Sequence, residues 1–212
     1  MNSYLKHDGW KIIEEGFTPA NNRASESIFS LGNGRMGQRA NFEENYSGDS
    51  LLGNYIGGIY YPDKTKVGWW KNGYPEYYAK VLNAPNWIGI RFSIDGHELD
   101  LAQCGVKDFV RTLDMHQGRL ERSFRAVLPG NKIVQVRTTR FLSIVDDETG
   151  NIRYEIIPEN FTGDFQVTLD LDDGQVVTTG SADEIIIALT GDASDNLSGL
   201  ARVQVSTDGR AW

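Results

Sequence analysis

Cysteine occurs once in this 212-residue chain and histidine only three times. With Cys104 alone, no intramolecular disulfide can form. His7, His97 and His116 stand at no ligand spacing and have no cysteine partner, so they draw no zinc site. No run of about 18 apolar residues is present, which excludes a spanning helix. The opening Met-Asn-Ser-Tyr-Leu-Lys-His-Asp carries no apolar core and no small-residue cleavage site, so it is not read as a secretory signal. Basic charge is also scarce. Lys+Arg count 21 against 29 Asp+Glu, and 21 − 29 gives −8. A net anion is a poor partner for nucleic acid or an anionic membrane. A cytoplasmic protein is the expectation. Internal repeats, linkers and low-complexity stretches are missing too, so one domain is expected over residues 1–212.

What the chain does hold is 23 Gly, 9 Tyr, 9 Phe and 5 Trp, a composition suited to β structure. Phe165, Val167, Leu169 and Leu171 alternate with polar residues, as do Ile152, Tyr154 and Ile156, the period of a half-buried strand. In residues 120–128, Leu120, Phe124, Ala126 and Leu128 share one face, and Arg122 breaks it. Val134 and Val136 open another strand after the Pro129-Gly130-Asn131 turn. Asp95-Gly96 joins residues 87–94 to 97–101 as a hairpin. Turn clusters recur every ten or so residues, which predicts a mainly β, large antiparallel β-sandwich or barrel. The one helix predicted is short, around residues 75–82, with Pro75 at its start. Residues 201–206 read as a strand and Thr207-Asp208-Gly209-Arg210 as a turn that launches only Ala211-Trp212. That interruption leads us to expect the front part of a longer polypeptide.

Chemistry-bearing motifs are few. Gly32-Asn33-Gly34-Arg35-Met36-Gly37 fits G-x-G-x-x-G, but dinucleotide binding needs a following helix and a βαβ unit. Residues 38–44 lack a helical apolar stripe, so a glycine-rich turn between strands is the better reading. It can still present Asn33, Arg35 and Gln38 to a ligand or a neighbouring domain. Trp69-Trp70-Lys71-Asn72-Gly73-Tyr74, with Tyr77 and Tyr78 beyond, is a dense aromatic cluster. Flat rings stack on sugar faces and equally supply packing area. Glu14-Glu15, Glu43-Glu44 and Asp146-Asp147-Glu148 suggest the carboxylate pair of a glycosidase, yet adjacent acids usually mark a solvated edge. Asp170, Asp172 and Asp173 lack the spacing of a calcium loop. No catalytic residue is assigned from spacing.

Residues 26–44, Glu-Ser-Ile-Phe-Ser-Leu-Gly-Asn-Gly-Arg-Met-Gly-Gln-Arg-Ala-Asn-Phe-Glu-Glu, resemble the N-terminal domain of glycoside hydrolase family 65. Residues 10–15, 60–74 and 83–90 carry the same likeness, which covers essentially the whole chain and looks most like the maltose phosphorylases. The resemblance implies a β-sandwich clipped near its end, followed in the parent by an (α/α)6 barrel that bears the acid and the phosphate site. None of that machinery falls within residues 1–212. The implied reaction is inverting phosphorolysis of a disaccharide to β-glucose 1-phosphate and glucose. Inorganic phosphate is the cosubstrate, with no metal or organic cofactor. Water as nucleophile, giving a hydrolase, is the alternative; a non-catalytic carbohydrate-binding or dimerising module is another. Asn33, Arg35, Gln38, Trp69, Trp70, Lys71 and Tyr74 are the expected contacts, at the pocket edge or against the parent's own barrel. A homodimer contact is a further possibility for this domain.

Overall fold

The computed structural model describes residues 4–66 and 73–162, and then four strands at 165–169, 176–179, 185–192 and 202–206. Strands β1 (Leu5–Asp8) and β2 (Lys11–Glu15) form a hairpin, and a short helix, α1 (Asn22–Ile28), follows. Three small strands, β3 (Leu31–Gly32), β4 (Met36–Gln38) and β5 (Asn54–Ile56), pair as one antiparallel sheet. β6 (Tyr60–Lys64) and β7 (Tyr77–Val81) make a hairpin of their own. After β8 (Ile90–Ile94) and β9 (His97–Glu98) come four long strands: β10 (Gly105–Asp114), β11 (Arg119–Leu128), β12 (Lys132–Leu142) and β13 (Thr149–Pro158). β14 (Phe165–Leu169), β15 (Val176–Thr179), β16 (Ile185–Asp192) and β17 (Arg202–Ser206) complete the chain.

The strands sort into two layers. The larger sheet runs β1-β2-β10-β11-β12-β13-β16-β17, and the smaller runs β15-β14-β8-β9. All named pairings are antiparallel, as the sequence pattern predicts. Sheet faces one strand apart alternate, and β11 follows this without exception: every second residue from Leu120 to Leu128 is buried. Between the layers, Phe109, Phe124, Val134, Val136, Ile152 and Ile156 meet Ile90, Phe92, Ile94 and Val167. A second apolar cluster of Leu113, Leu120 and Leu142 packs on Phe29, Leu31, Met36 and Ala40. The hairpin at Asp95-Gly96 forms as expected, with φ of 48° and 78° at its two central residues, the left-handed pair that such a turn requires.

Two expectations are corrected. Residues 77–81 are strand β7, not helix, and α1 lies at residues 22–28 instead. Tyr77, Tyr78 and Val81 carry strand-favouring side chains, and pairing with β6 satisfies their backbone. The helix was masked because its inward residues, Asn22, Ser25 and Glu26, are polar. The expected strand at 201–206 is present as β17, which pairs with β16 at the rim of the larger sheet. Leu171, the Asp170–Asp173 stretch and the turn at 207–210 lie outside the described residues.

Candidate functional site

The inward face of the larger sheet carries one register row of polar residues. Glu14 on β2 faces Arg111 on β10, which faces Arg122 on β11, then Thr138 on β12 and Tyr154 on β13. Arg140 stands two residues along β12 from Thr138, on the same face. All six are buried. Their partners come from the other side: α1 supplies Asn22, Ser25 and Glu26, and the strap 39–46 supplies Glu43 and Glu44.

Arg122 holds both strap carboxylates, at 2.5 Å to Glu43 and 2.6 Å to Glu44 Oε2, with a further contact to Glu44 Oε1. Arg140 lies 3.2 Å from Glu43 and donates to the carbonyls of Arg39 and Asn41. The Tyr154 hydroxyl donates to Glu44 at 3.1 Å. At the other end of the row Arg111 lies 3.3 Å from Glu14 and donates to Asn22 Oδ1 at 3.1 Å. Arg111 also covers the rings of Phe29, Phe42 and Phe109 at 4.9–5.6 Å, a placement favourable to a planar cation. Glu26 accepts from Ser50 and the Leu51 amide and lies 3.6 Å from Arg39. The seam is therefore four carboxylates, Glu14, Glu26, Glu43 and Glu44, against four guanidinium groups, Arg39, Arg111, Arg122 and Arg140.

Burial works against each charge here, and the partners decide the outcome. Burial would raise the Glu43 carboxyl, but Arg140 and Arg122 outweigh it and hold it below the ordinary carboxylate range. Burial lifts the Glu14 carboxyl, which Arg111 and Ser25 offset only in part. Arg122 rises above its ordinary value despite burial, because Glu44 and Glu43 sit against it. Burial draws Arg111 down to about 10, so it stays charged at neutral pH. Burial and Glu44 push the Tyr154 hydroxyl well up, so it remains a donor. These acids are committed to arginines in a sealed layer, where no substrate reaches them. The expectation that Glu14 and Glu43-Glu44 mark a solvated edge is overturned: Glu14, Glu43 and Glu44 are interior. Glu15, Asp146 and Asp147 are exposed, as expected. The signal was in the sequence, since Arg122 sits at apolar parity in its strand, as do Arg111 between Phe109 and Leu113 and Arg140 between Thr138 and Leu142.

The exposed candidate is a groove of about 290 Å³ where the glycine-rich turn meets the β6–β7 hairpin. Arg35, Tyr55, Ile56, Tyr60, Ala79 and Val81 are among its lining. The groove is open to solvent rather than a closed cavity, a shape that can border a sugar along one side. As expected, the glycine-rich stretch turns between two strands, with residues 33–35 joining β3 to β4. Gly34 takes φ of 92° there, a conformation that disfavours any side chain. Asn33 Oδ1 accepts from the amides of Arg35 and Met36, and its Nδ2 donates to the carbonyls of Ser143 and Asp147 at 2.6 and 2.9 Å. Arg35 pairs with Glu148 at 2.5 Å. Gln38 is buried and donates to Asn54, which in turn donates to Pro85 and Asn86.

In the β6–β7 hairpin, Tyr60 is opposite Val81 and Asp63 opposite Tyr78. Tyr60, Tyr61, Tyr74, Tyr77 and Tyr78 are all about half exposed or more. Tyr74 thus lies at the surface, while Trp69, Trp70 and Lys71 lie outside the described residues. Among the described residues no three of His, Cys, Asp and Glu gather as metal ligands, and no helix is long and apolar enough to cross a membrane.

Comparison with known proteins agrees with this architecture. The family model for glycosyl hydrolase family 65, N-terminal domain, matches residues 12–210. Maltose phosphorylase of Bacillus subtilis (strain 168) is 49% identical over 162 residues, 76% of this chain and 21% of that protein. Alpha,alpha-trehalose phosphorylase of Thermoanaerobacter brockii is 30% identical over 211 residues, 97% of this chain and 26% of that protein. A solved structure from the human microbiome, assigned as a kojibiose phosphorylase, superposes with a TM-score of 0.73 at 26% identity, covering 91% of this chain and 29% of that one. The chain thus spans about a fifth to a quarter of the length of the curated relatives it matches. With the match running over nearly every residue, the chain belongs to glycosyl hydrolase family 65, and what it contains is that family's N-terminal domain.

Proposed function

We propose that this domain belongs to an inverting α-glucoside phosphorylase of the maltose type. One observation carries the reading: identity to a maltose phosphorylase is 49%, against 31% and 30% to kojibiose and trehalose phosphorylases. In the proposed reaction, phosphate attacks the anomeric carbon on the face opposite the glycosidic oxygen. A carboxylic acid protonates that oxygen as the bond breaks. The products are β-glucose 1-phosphate and glucose, with phosphate in the place that water takes in an inverting hydrolase. The proposed acid and phosphate site belong to the part of the parent beyond this domain, a catalytic barrel. The cosubstrate is inorganic phosphate, no cofactor takes part, and the cytoplasm, where phosphate is abundant, is the proposed compartment.

This domain's share is support. The groove beside Arg35 and Tyr60 is open on one side, as one wall of a pocket would be, and the proposed other walls lie in the barrel. Asn33 acts indirectly, since both ends of its amide are spent on holding the turn. Gln38 likewise acts indirectly, through its buried hydrogen bond to Asn54, while exposed Tyr74, and by residue type Trp69, Trp70 and Lys71, are the proposed aromatic and cationic contacts.

The test is glucose release from maltose by the complete polypeptide, with and without phosphate. Release should require phosphate, with β-glucose 1-phosphate formed in equal amount. Equal release in phosphate-free buffer would leave a hydrolase of the same family. The 212-residue chain alone should release none.

A further inference from the structure

One end of the larger sheet presents three hairpin tips in a row. The β1–β2 turn lies beside the β10–β11 turn, because Lys11 is opposite Asp114 and the Met115 amide donates to the Trp10 carbonyl at 2.9 Å. The β12–β13 turn, residues 143–148, stands at the same end, since Arg119 at the start of β11 is opposite Phe141 at the end of β12. With strands about 4.8 Å apart, the three tips span roughly 20 Å.

Each tip carries apolar side chains into solvent. Trp10 is 64% exposed, Met115 47%, Ile144 82% and Val145 100%. Single exposed apolar residues are ordinary, but a row of them over three neighbouring tips marks an interaction surface. The polar groups around them are already committed. The Ser143 and Asp147 carbonyls accept from Asn33, Glu148 pairs with Arg35, and the Asp146 carboxylate accepts from Thr149. The β12–β13 tip is thereby held rigid with its two branched aliphatics pointing outward.

We propose that this three-tip end, centred on Ile144 and Val145, is the seat for the remainder of the parent polypeptide, distinct from the tyrosine-lined groove. The inference rests on the reading that this domain is one part of a longer phosphorylase. The occupant follows from three features. Relatives carry roughly four-fifths of their length outside the matched region, so on that reading a large body is tethered to this domain and available to cover this end. At its centre Ile144 and Val145 are aliphatic and offer no flat ring for a sugar, and the row's one indole, Trp10, stands at the far tip with His116 edge-on to it at 6.3 Å, so the surface favours protein over carbohydrate. A second copy of the chain would bring together two bodies of net charge −8, which disfavours self-pairing. The Asn33 and Arg35 contacts then tie this seat to the groove, so docking at one sets the geometry of the other.

The experiment places a thiol at the tip by Val145→Cys in a Cys104→Ser background and measures maleimide labelling under native conditions. It compares the 212-residue chain with the complete polypeptide. Labelling should be at least tenfold slower in the complete polypeptide. A second variant, Val145→Asp, should leave the melting temperature of the 212-residue chain unchanged and lower that of the complete polypeptide. Equal labelling rates in the two forms would overturn the proposal. So would slow labelling of the 212-residue chain together with a dimeric mass in sedimentation, which assigns the surface to a second copy. Protection at Val145 in a polypeptide that releases glucose without phosphate would keep the seat and discard the phosphorylase reading.

Discussion

The charged seam and the aromatic hairpin are opposites in placement. Arg111, Arg122, Arg140, Glu14, Glu43 and Glu44 are sealed between the sheet and its cover. Tyr60, Tyr61, Tyr77 and Tyr78 stand in solvent on a two-stranded hairpin. Intuition from residue type alone would exchange them. The seam tolerates burial because every carboxylate has a guanidinium within reach. It joins three pieces, the sheet, α1 and the strap, beside the apolar contacts made by Phe29, Ala40 and Phe42. The hairpin has no such reason to be apolar for its own sake, since two strands alone gain little stability in water. The difference teaches that charge here serves folding, while the aromatic area stays in solvent, where the proposed contacts would use it.

The comparison breaks first at Glu43. Glu43→Gln removes the carboxylate that faces both Arg140 and Arg122, and a buried charge left without its partner costs about 3–5 kcal/mol. Urea unfolding at pH 7 should show a loss of that order. The native chain should also lose stability as pH falls, because a carboxyl held low in the folded state stabilises above the ordinary carboxylate range and ceases to do so below its folded value. The variant should lose part of that acid limb. Glu14 carries the opposite sign. Its raised carboxyl contributes stability that is full below the ordinary carboxylate value and is lost as pH rises through its higher folded value, so Glu14→Gln should cost less than Glu43→Gln at pH 7. A pH series of urea midpoints for the two variants distinguishes them, and equal losses would break the distinction within the seam.

A smaller effect is expected at Gly150, where a Cβ would meet the Trp87 ring at 2.5 Å. Trp87 packs against both apolar clusters, so Gly150→Ala should cost about 1–3 kcal/mol by overpacking. Thermal melting followed by tryptophan fluorescence checks it. Smaller still is Arg35→Ala, which breaks a half-exposed ion pair worth about 0–1 kcal/mol to stability. Its consequence should show in the complete polypeptide as weaker maltose turnover, since the turn that lines the groove loses its tie to Glu148.

The sandwich was legible because its strands alternate cleanly, from Leu120–Leu128 to Ile152–Ile156, and because Asp95-Gly96 can be little else than a hairpin turn. The seam was not, for a physical reason. A buried ion pair joins residues 78 and 79 positions apart, and no local period announces such a partner. Arg122 showed as a flaw in an apolar face, which in hindsight is the mark of a charge with an interior partner. The strand at Tyr77–Val81 was missed because Pro75 suits a helix start as well as a turn. Of the expected contacts, the sequence placed Asn33 and Arg35 in a turn between strands, and that is where they lie. It offered no way to see that Gln38 points inward, because parity in a three-residue strand is too short to read.

The most direct test of the account sets two variants of the 212-residue chain side by side in urea: Arg122→Met, and Tyr61→Ala with Tyr77→Ala. If charge holds the fold and the tyrosines face a partner, Arg122→Met should lose about 3–5 kcal/mol by stranding Glu43 and Glu44. The double tyrosine variant should stay within about 1 kcal/mol of the native chain, as exposed substitutions do. A tyrosine variant that falls as far as Arg122→Met, or an Arg122→Met chain as stable as the native one, would contradict it.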